Sequence, residues 1–252
     1  MESFIKGLKK LEGYKGQIEH IEFLPRKKEV QGTLETPLSP SLQQYLDNRD
    51  ITLYKHQADA INLARKGENI VITTPTASGK TLAFNIPVFE ALSMDPQARA
   101  LYIYPMKALT NDQQNVLLIM EKETGISVHP KIYDGDTSRD DKRRIRDKAR
   151  IVLTNPYGLH HYLHWHHLWK NFYENLQFII IDESHTYRGV FGSHIALLIR
   201  RIQRICRFYG SNPQYILSSA TIANPKEHSK KLTGKDFHVV SSDSSESGKK
   251  SF

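Results

Sequence analysis

Two stretches of this 252-residue chain carry residues that could act on a phosphate. The first is Thr74-Pro75-Thr76-Ala77-Ser78-Gly79-Lys80-Thr81. It follows the β-branched run Ile70-Val71-Ile72 and precedes Leu82, Ala83, Ile86, Phe89, Ala91 and Leu92 at helical spacing. A loop that enters a helix turns successive backbone N–H groups towards one point, where the helix dipole adds about half a positive charge. Lys80 is then placed to reach the β- and γ-phosphates of a nucleotide, and the Thr81 hydroxyl to sit on Mg²⁺. Thr74 stands where the usual pattern begins with Gly. A β-branched residue resists positive φ, so the loop must open differently there. Pro87 predicts a kink in the helix, beyond its first turn.

The second stretch is Phe178-Ile179-Ile180-Ile181-Asp182-Glu183-Ser184-His185, in which four apolar residues deliver two carboxylates to a strand end. Paired acids in such a place are often a solvated turn. Beside a phosphate loop they take roles: Asp182 holds the metal, usually through water, and Glu183 orients the attacking water. The candidate catalytic set is Lys80, Asp182, Glu183 and His185, with Thr81 and Asp182 on the metal. Upstream, Leu53-Tyr54-Lys55-His56-Gln57 lies in a predicted helix from Thr52 to Arg65. The Gln57 amide offers both the donor and the acceptor that an adenine N6 and N7 edge demands. A solvated helix glutamine is the plain alternative.

These residues need a frame. Apolar strands recur between helical segments at Ala100 to Tyr104, Lys131 to Tyr133, Arg150 to Thr154, Phe178 to Ile181 and Tyr215 to Ser218. The alternation predicts an α/β fold, a parallel sheet with helices on both faces. In such sheets ligands collect at the carboxyl ends of the strands. Just there fall Pro105 to Leu109, Asp134-Gly135-Asp136-Thr137, Thr154-Asn155-Pro156 and Ser218-Ser219-Ala220-Thr221. Lys107, Thr154, Asn155 and the backbone near Gly135 can follow a phosphate backbone without reading bases.

Residues 1–50 are predicted as a short N-terminal extension. It has a helix to about Leu11, a possible strand from Ile18 to Phe23, punctuation at Pro25, Pro37 and Pro40, and a helix capped by Ser41. Residues 51–240 form the sheet domain. The serine-rich stretch 241–252 has linker composition. The dense histidines His160, His161, His164, His166 and His167 have no carboxylate or Cys to complete a metal set and are read as solvated or packing residues. The basic run Lys142 to Arg150 is diluted by Asp140, Asp141 and Asp147 and is read as a solvated helix face. From about Gly192 to Tyr209 an amphipathic helix buries Ile195, Leu198, Ile199, Ile202 and Ile205.

A net charge of +8 makes an anionic partner plausible. The single Cys206 excludes an internal disulfide and fits a reducing, intracellular compartment. No apolar run approaches the ~20 residues of a membrane span, and the start lacks a secretory pattern.

In this order the motifs resemble those of the superfamily 2 helicases, and nearly the whole chain matches the first of their two RecA-like domains. Tyr54 to Gln57 resembles the adenine-reading motif, Thr74 to Thr81 motif I, Pro105 to Leu109 motif Ia, Thr154-Asn155-Pro156 motif Ib, Asp182 to His185 a DEAH-box variant, and Ser219-Ala220-Thr221 the coupling motif III. Leu-Tyr-Lys-His-Gln, the phosphate loop and Asp-Glu-Ser-His-Thr-Tyr-Arg-Gly-Val-Phe-Gly-Ser-His are similar to the Hrq/MrfA group of DNA helicases. The resemblance implies ATP and Mg²⁺ as cofactors, ATP-driven 3′-to-5′ movement on single-stranded DNA, and a repair setting. It also implies a second RecA-like domain carrying an arginine finger, which makes these residues the N-terminal part of a longer enzyme. An RNA helicase domain and a non-catalytic nucleic-acid clamp are the alternatives, since backbone contacts carry no information about the sugar.

Overall fold

The computed structural model describes residues 2–21, 23–24, 28–75, 77–245 and 250–251. In chain order its strands are β1 (Phe23–Leu24), β2 (Ile70–Thr73), β3 (Arg99–Ile103), β4 (Lys131–Ile132), β5 (Ile151–Thr154), β6 (Leu176–Ile181), β7 (Gln214–Ser219), β8 (His238–Val240) and β9 (Lys250–Ser251). Among the described residues β2 to β8 form one sheet in the order β4-β5-β3-β6-β7-β2-β8, and β1 pairs with β9 separately. Every pairing in the large sheet is parallel. All its carboxyl ends therefore lie along one edge. The crossovers carry helices α4 (Lys80–Met94), α5 (Lys107–Thr124), α6 (Arg139–Lys148), α7 (Pro156–Tyr162), α8 (Lys170–Glu174), α9 (Gly189–Phe208) and α10 (Pro225–Thr233). Three helices precede the sheet: α1 (Glu2–Leu8), α2 (Pro40–Asp47) and α3 (Lys55–Arg65).

Strand side chains alternate between two cores, as the two-residue period requires. Ile70, Ile72, Ala100, Tyr102, Ile151, Leu153, Ile180 and Ile216 pack on one face with α2 to α5. Val71, Leu101, Ile103, Val152, Ile179, Ile181 and Leu217 pack on the other with α7, α8, α9 and α10. Ile195, Leu198, Ile199 and Ile202 of α9 are buried in this second core, and Ile205 is partly so. α6 buries only Ile145, which leaves its charges in solvent. α4 runs through Pro87 as one element, and the expected kink does not divide it.

The predicted extension is part of the packed body. Leu38, Leu42, Tyr45 and Leu46 join the same core as the strands. Arg65 fixes the preceding segment: it grips Glu90 of α4 through two bonds of 2.9 and 2.6 Å and donates to the Thr36 carbonyl at 2.7 Å. A bidentate, charge-assisted pair of this kind holds geometry as well as energy. The expected cap Ser41 lies inside α2, whose N-cap is Ser39 with Pro40 at the first turn. The first helix ends at Leu8, residues 17–21 have no regular structure, and the strand of that region is Phe23–Leu24. Pro25 lies outside the described residues. The serine-rich stretch is likewise not free over its first residues: the Ser244 carbonyl accepts from Val30 N–H at 2.9 Å. Among the described residues no helix is long and apolar enough to cross a membrane.

If α2 belongs to the core, Leu42→Ala must behave as a core truncation, because Leu42 is fully buried. The expected loss is about 2–5 kcal/mol, seen as a lower urea midpoint with unchanged slope. A loss below about 0.5 kcal/mol would return residues 38–47 to the status of an appendage.

Candidate phosphate-binding site at the carboxyl edge of the sheet

β2 ends at Thr73 and the chain turns through the loop into α4. Left-handed backbone is needed at Ala77 (φ 63°) and at Gly79 (φ 79°), whereas Thr74 has no positive φ. The loop thus opens by placing the strain at Ala77, where a methyl side chain tolerates it at modest cost. Gly79 is favoured by its positive φ, and a Cβ there would also press on the Gln57 amide. Thr74 and Ser78 brace the loop through their hydroxyls at 2.6 Å. Thr76 lies outside the described residues, and Thr81 sits half-buried in the first turn of α4.

The Lys80 ammonium is buried and folds back on the loop, donating to the carbonyls of Thr74 and Pro75, each at 2.8 Å. Burial lowers its pKa below the usual lysine value, while the carboxylates of Glu183, Asp182 and Asp243 act to raise it. The cation and the acid pair therefore lie within electrostatic reach of each other. Gln57 is buried as well. Its Oε1 accepts from Tyr54 N–H at 2.8 Å and its Nε2 donates to the Gly79 carbonyl at 3.0 Å, so the amide joins the start of α3 to the loop. Tyr54 caps α3 and is half-exposed.

The acids leave β6 on its own ladder. Asp182 N–H donates to the Ile103 carbonyl at 3.0 Å, one residue beyond the strand. Glu183 then takes a left-handed φ of 49°. Its Oε2 lies 3.2 Å from His185 Nδ1 and is buried without a hydrogen-bond partner, because that same Nδ1 stands 3.2 Å from the Ala220 N–H. One ring nitrogen can accept from the amide or donate to the carboxylate, not both. Ser184 is fully buried, which restricts this position of the box to a small side chain. The Ala220 carbonyl in turn accepts from Thr73 Oγ1 at 3.3 Å and from Ser219 Oγ at 2.7 Å. Thr221 is exposed. The donor set, carboxylate oxygens and a threonine hydroxyl beside a cationic phosphate loop, fits a hard cation such as Mg²⁺.

Farther along the edge the predicted strand-contacting residues differ in availability. Asn155 caps α7, its Oδ1 accepting from Gly158 N–H at 2.9 Å, and Thr154 Oγ1 donates to the Tyr133 carbonyl at 2.7 Å. Both side chains are buried, which limits them to shaping the edge. Gly135 is exposed and Pro105 half-buried. Lys107 opens α5 in solvent, paired with Asp136 at 2.5 Å and 3.8 Å from Asp134. It lines a groove of about 650 Å³ with Asp134, Asp136, Thr137 and Arg144. Tyr187, in the loop after the acidic box, is 2% exposed and lies in the second core, which keeps its ring from stacking on a base; Phe191 is 52% exposed. Among the described residues no group of three or more His, Cys, Asp or Glu side chains could hold a metal, and His160 and His166 contact Arg201 and Tyr209 instead.

Sequence reasoning passed over His56 and Ser244. His56 is fully buried, with Nε2 2.9 Å from the Ser78 carbonyl and Nδ1 2.7 Å from Ser244 Oγ. Nothing in a serine-rich tail signals such a contact. The position of His56 beside Gln57 was the one available hint.

The sequence model of the DEAD/DEAH box helicases matches residues 54–228. The chain is 46% identical over 244 residues to the uncharacterised ATP-dependent helicase YprA of Bacillus subtilis, covering 96% of this chain and 32% of that one. It is 35% identical over 257 residues to the ATP-dependent helicase HRQ1 of Saccharomyces cerevisiae, covering 98% of this chain and 23% of that one. The chain thus spans about a third or less of these relatives. Among solved structures, the DUF1998 helicase MrfA bound to DNA and AMPPNP superposes with a TM-score of 0.94 at 43% identity, over 100% of this chain and 35% of that one. The DEAD-box helicase Mss116, at 19% identity and a TM-score of 0.70, shares the fold. The matched span takes in the phosphate loop, the acidic pair and the strand-end residues around them, and the chain belongs to the DEAD/DEAH box helicase family, within superfamily 2 and alongside the Hrq/MrfA group.

Proposed function

We propose that this chain is the ATP-binding motor domain of an ATP-dependent 3′-to-5′ DNA helicase, binding Mg-ATP and single-stranded DNA. The observation that supports it most is the convergence of buried Lys80 with Asp182 and Glu183 at one sheet edge. In this reading Lys80 and the loop from Thr74 to Thr81 hold phosphate, Thr81 and Asp182 hold Mg²⁺, Glu183 orients water, and Gln57 with Tyr54 meets the base. Bound Mg²⁺ supplies charge neutralisation across the β- and γ-oxygens. Binding requires exchange: Lys80 must leave two carbonyls, and Gln57 must leave the Tyr54 amide and the Gly79 carbonyl. Ser219, Ala220 and Thr221 carry the state of the acidic box to the rest of the motor. DNA as partner takes its support from MrfA, solved with DNA, and from the Hrq/MrfA resemblance. The longer relatives leave room for a second RecA-like domain that would meet the γ-phosphate from the other side. An intracellular setting accords with the lone cysteine.

Lys80→Ala is expected to weaken Mg-ATP binding at least tenfold by calorimetry, since each charge-assisted bond is worth about 1.5–3 kcal/mol. Unchanged affinity would remove the central premise. Glu183→Gln should keep nucleotide affinity while phosphate release falls roughly 10²- to 10⁴-fold in the longer enzyme; parallel loss of both would deny Glu183 its separate role.

The chain taken alone should hydrolyse ATP about 10³- to 10⁵-fold more slowly than a two-domain form, for want of an arginine finger. Comparable, DNA-stimulated release by the single domain would contradict this. Its binding to single strands should weaken steeply with salt. Asp136→Ala, which removes the nearer partner of Lys107, should tighten that binding and steepen the salt slope by up to about one. An unaltered slope would exclude Lys107 from the phosphate track, and equal affinity for matched DNA and RNA strands would count against a DNA-specific reading.

A further inference from the structure

Ser218 precedes the Ser219-Ala220-Thr221 stretch and has no part in the scheme above. It is fully buried on β7, where the parallel register sets Ile181 against Leu217 and so brings the next residues, Asp182 and Ser218, side by side. The Ser218 hydroxyl donates to Asp182 Oδ1. The Glu183 N–H donates to the same oxygen at 2.9 Å. The left-handed φ of Glu183 then turns the chain away beyond this amide. Among the described residues, then, both donors to this carboxylate converge on Oδ1 and none reaches Oδ2.

Two donors on one oxygen fix the rotation of a carboxylate and leave the other oxygen free of internal competition. The surroundings sharpen this. Tyr104 and Tyr187 have buried hydroxyls without hydrogen-bond partners. Burial first, and then the negative charge of Asp182, raises the pKa of both phenols, which sets them in the field of that carboxylate. Lys80 lies within electrostatic reach of Asp182, and a carboxylate oxygen left without an internal donor suits a divalent cation.

We propose that Ser218 is a positioning residue which, by holding Oδ1, dedicates Oδ2 of Asp182 to the divalent cation that accompanies the bound nucleotide. This rests on the Mg-ATP reading above. Loss of the hydroxyl lets the carboxylate rotate, so that the Glu183 amide and the cation compete for both oxygens. Partners that orient a metal ligand in this way are typically worth about 10- to 100-fold in metal affinity.

The test is a fluorescent ATP analogue bound by the whole chain, titrated with Mg²⁺ and measured separately in EDTA. Ser218→Ala should raise the Mg²⁺ concentration at half-saturation about 10- to 100-fold, with affinity in EDTA within about twofold of the parent. Ser218→Thr, which keeps the hydroxyl, should return the midpoint to near the parent value. Ser218→Cys, of similar size with a weak donor, should fall between and stands in should the alanine form fail to melt cooperatively. An Mg²⁺ midpoint that is the same for the alanine, cysteine and parent forms overturns the proposal, and so does an equal loss in EDTA and in Mg²⁺, which marks a purely structural role. Failure of the parent chain to bind the analogue at any Mg²⁺ level removes the Mg-ATP reading, and this inference with it.

Discussion

Parallel hydrogen bonding does not stop where the strands stop. Asp182 donates its N–H to Ile103, and Tyr104 donates its own to Thr154, each at 3.0 Å and each one residue past the regular ladder. The first chemically committed residue after β6 is thus held by the same repeating bond that holds the sheet. Register in a sheet buried on both faces cannot slip by one residue without exchanging the two cores. The position of the acid pair relative to the phosphate loop is inherited from that constraint, and the loops themselves add only the final turns at Ala77, Gly79 and Glu183.

A single residue ties the strand ends together. The Ala220 carbonyl receives Thr73 Oγ1 from the end of β2 and Ser219 Oγ from β7, while its N–H reaches His185 after β6. Displacement of Ala220 would disturb contacts to three strand ends at once. Such a residue is well placed to pass a shift at one strand end to its neighbours, since several bonds depend on its position.

Much of this was legible in the sequence because the governing signals are local. Ile70 to Ile72 and Phe178 to Ile181 are buried parallel strands, and their composition says so. The tripeptide Gly79-Lys80-Thr81 announces a turn into a helix with a cation on it. Other features depend on partners distant in the chain. β8 is a three-residue edge strand whose His238 and Val239 are exposed, so no apolar pattern marks it. α2 falls within the predicted N-terminal extension, since nothing in Leu42 or Tyr45 tells which surface covers them. Thr154 and Asn155 were placed correctly at a strand end, yet their side-chain bonds go inward, which spacing cannot disclose. Ser244 shows the limit most plainly: a serine in a serine-rich tail reads as solvent-facing until the imidazole that buries it is seen.

That imidazole gives the tail a thermodynamic standing. Ser78, His56 and Ser244 form a continuous line from the phosphate loop to the serine-rich stretch after Val240. Free energy along such a line has no preferred direction. If closure of the loop on phosphate loosens Ser244 by some factor, then tension that draws Ser244 away must weaken phosphate binding by the same factor. The stretch after Val240 and the phosphate loop would then be two ends of one linkage, each sensing displacement of the other.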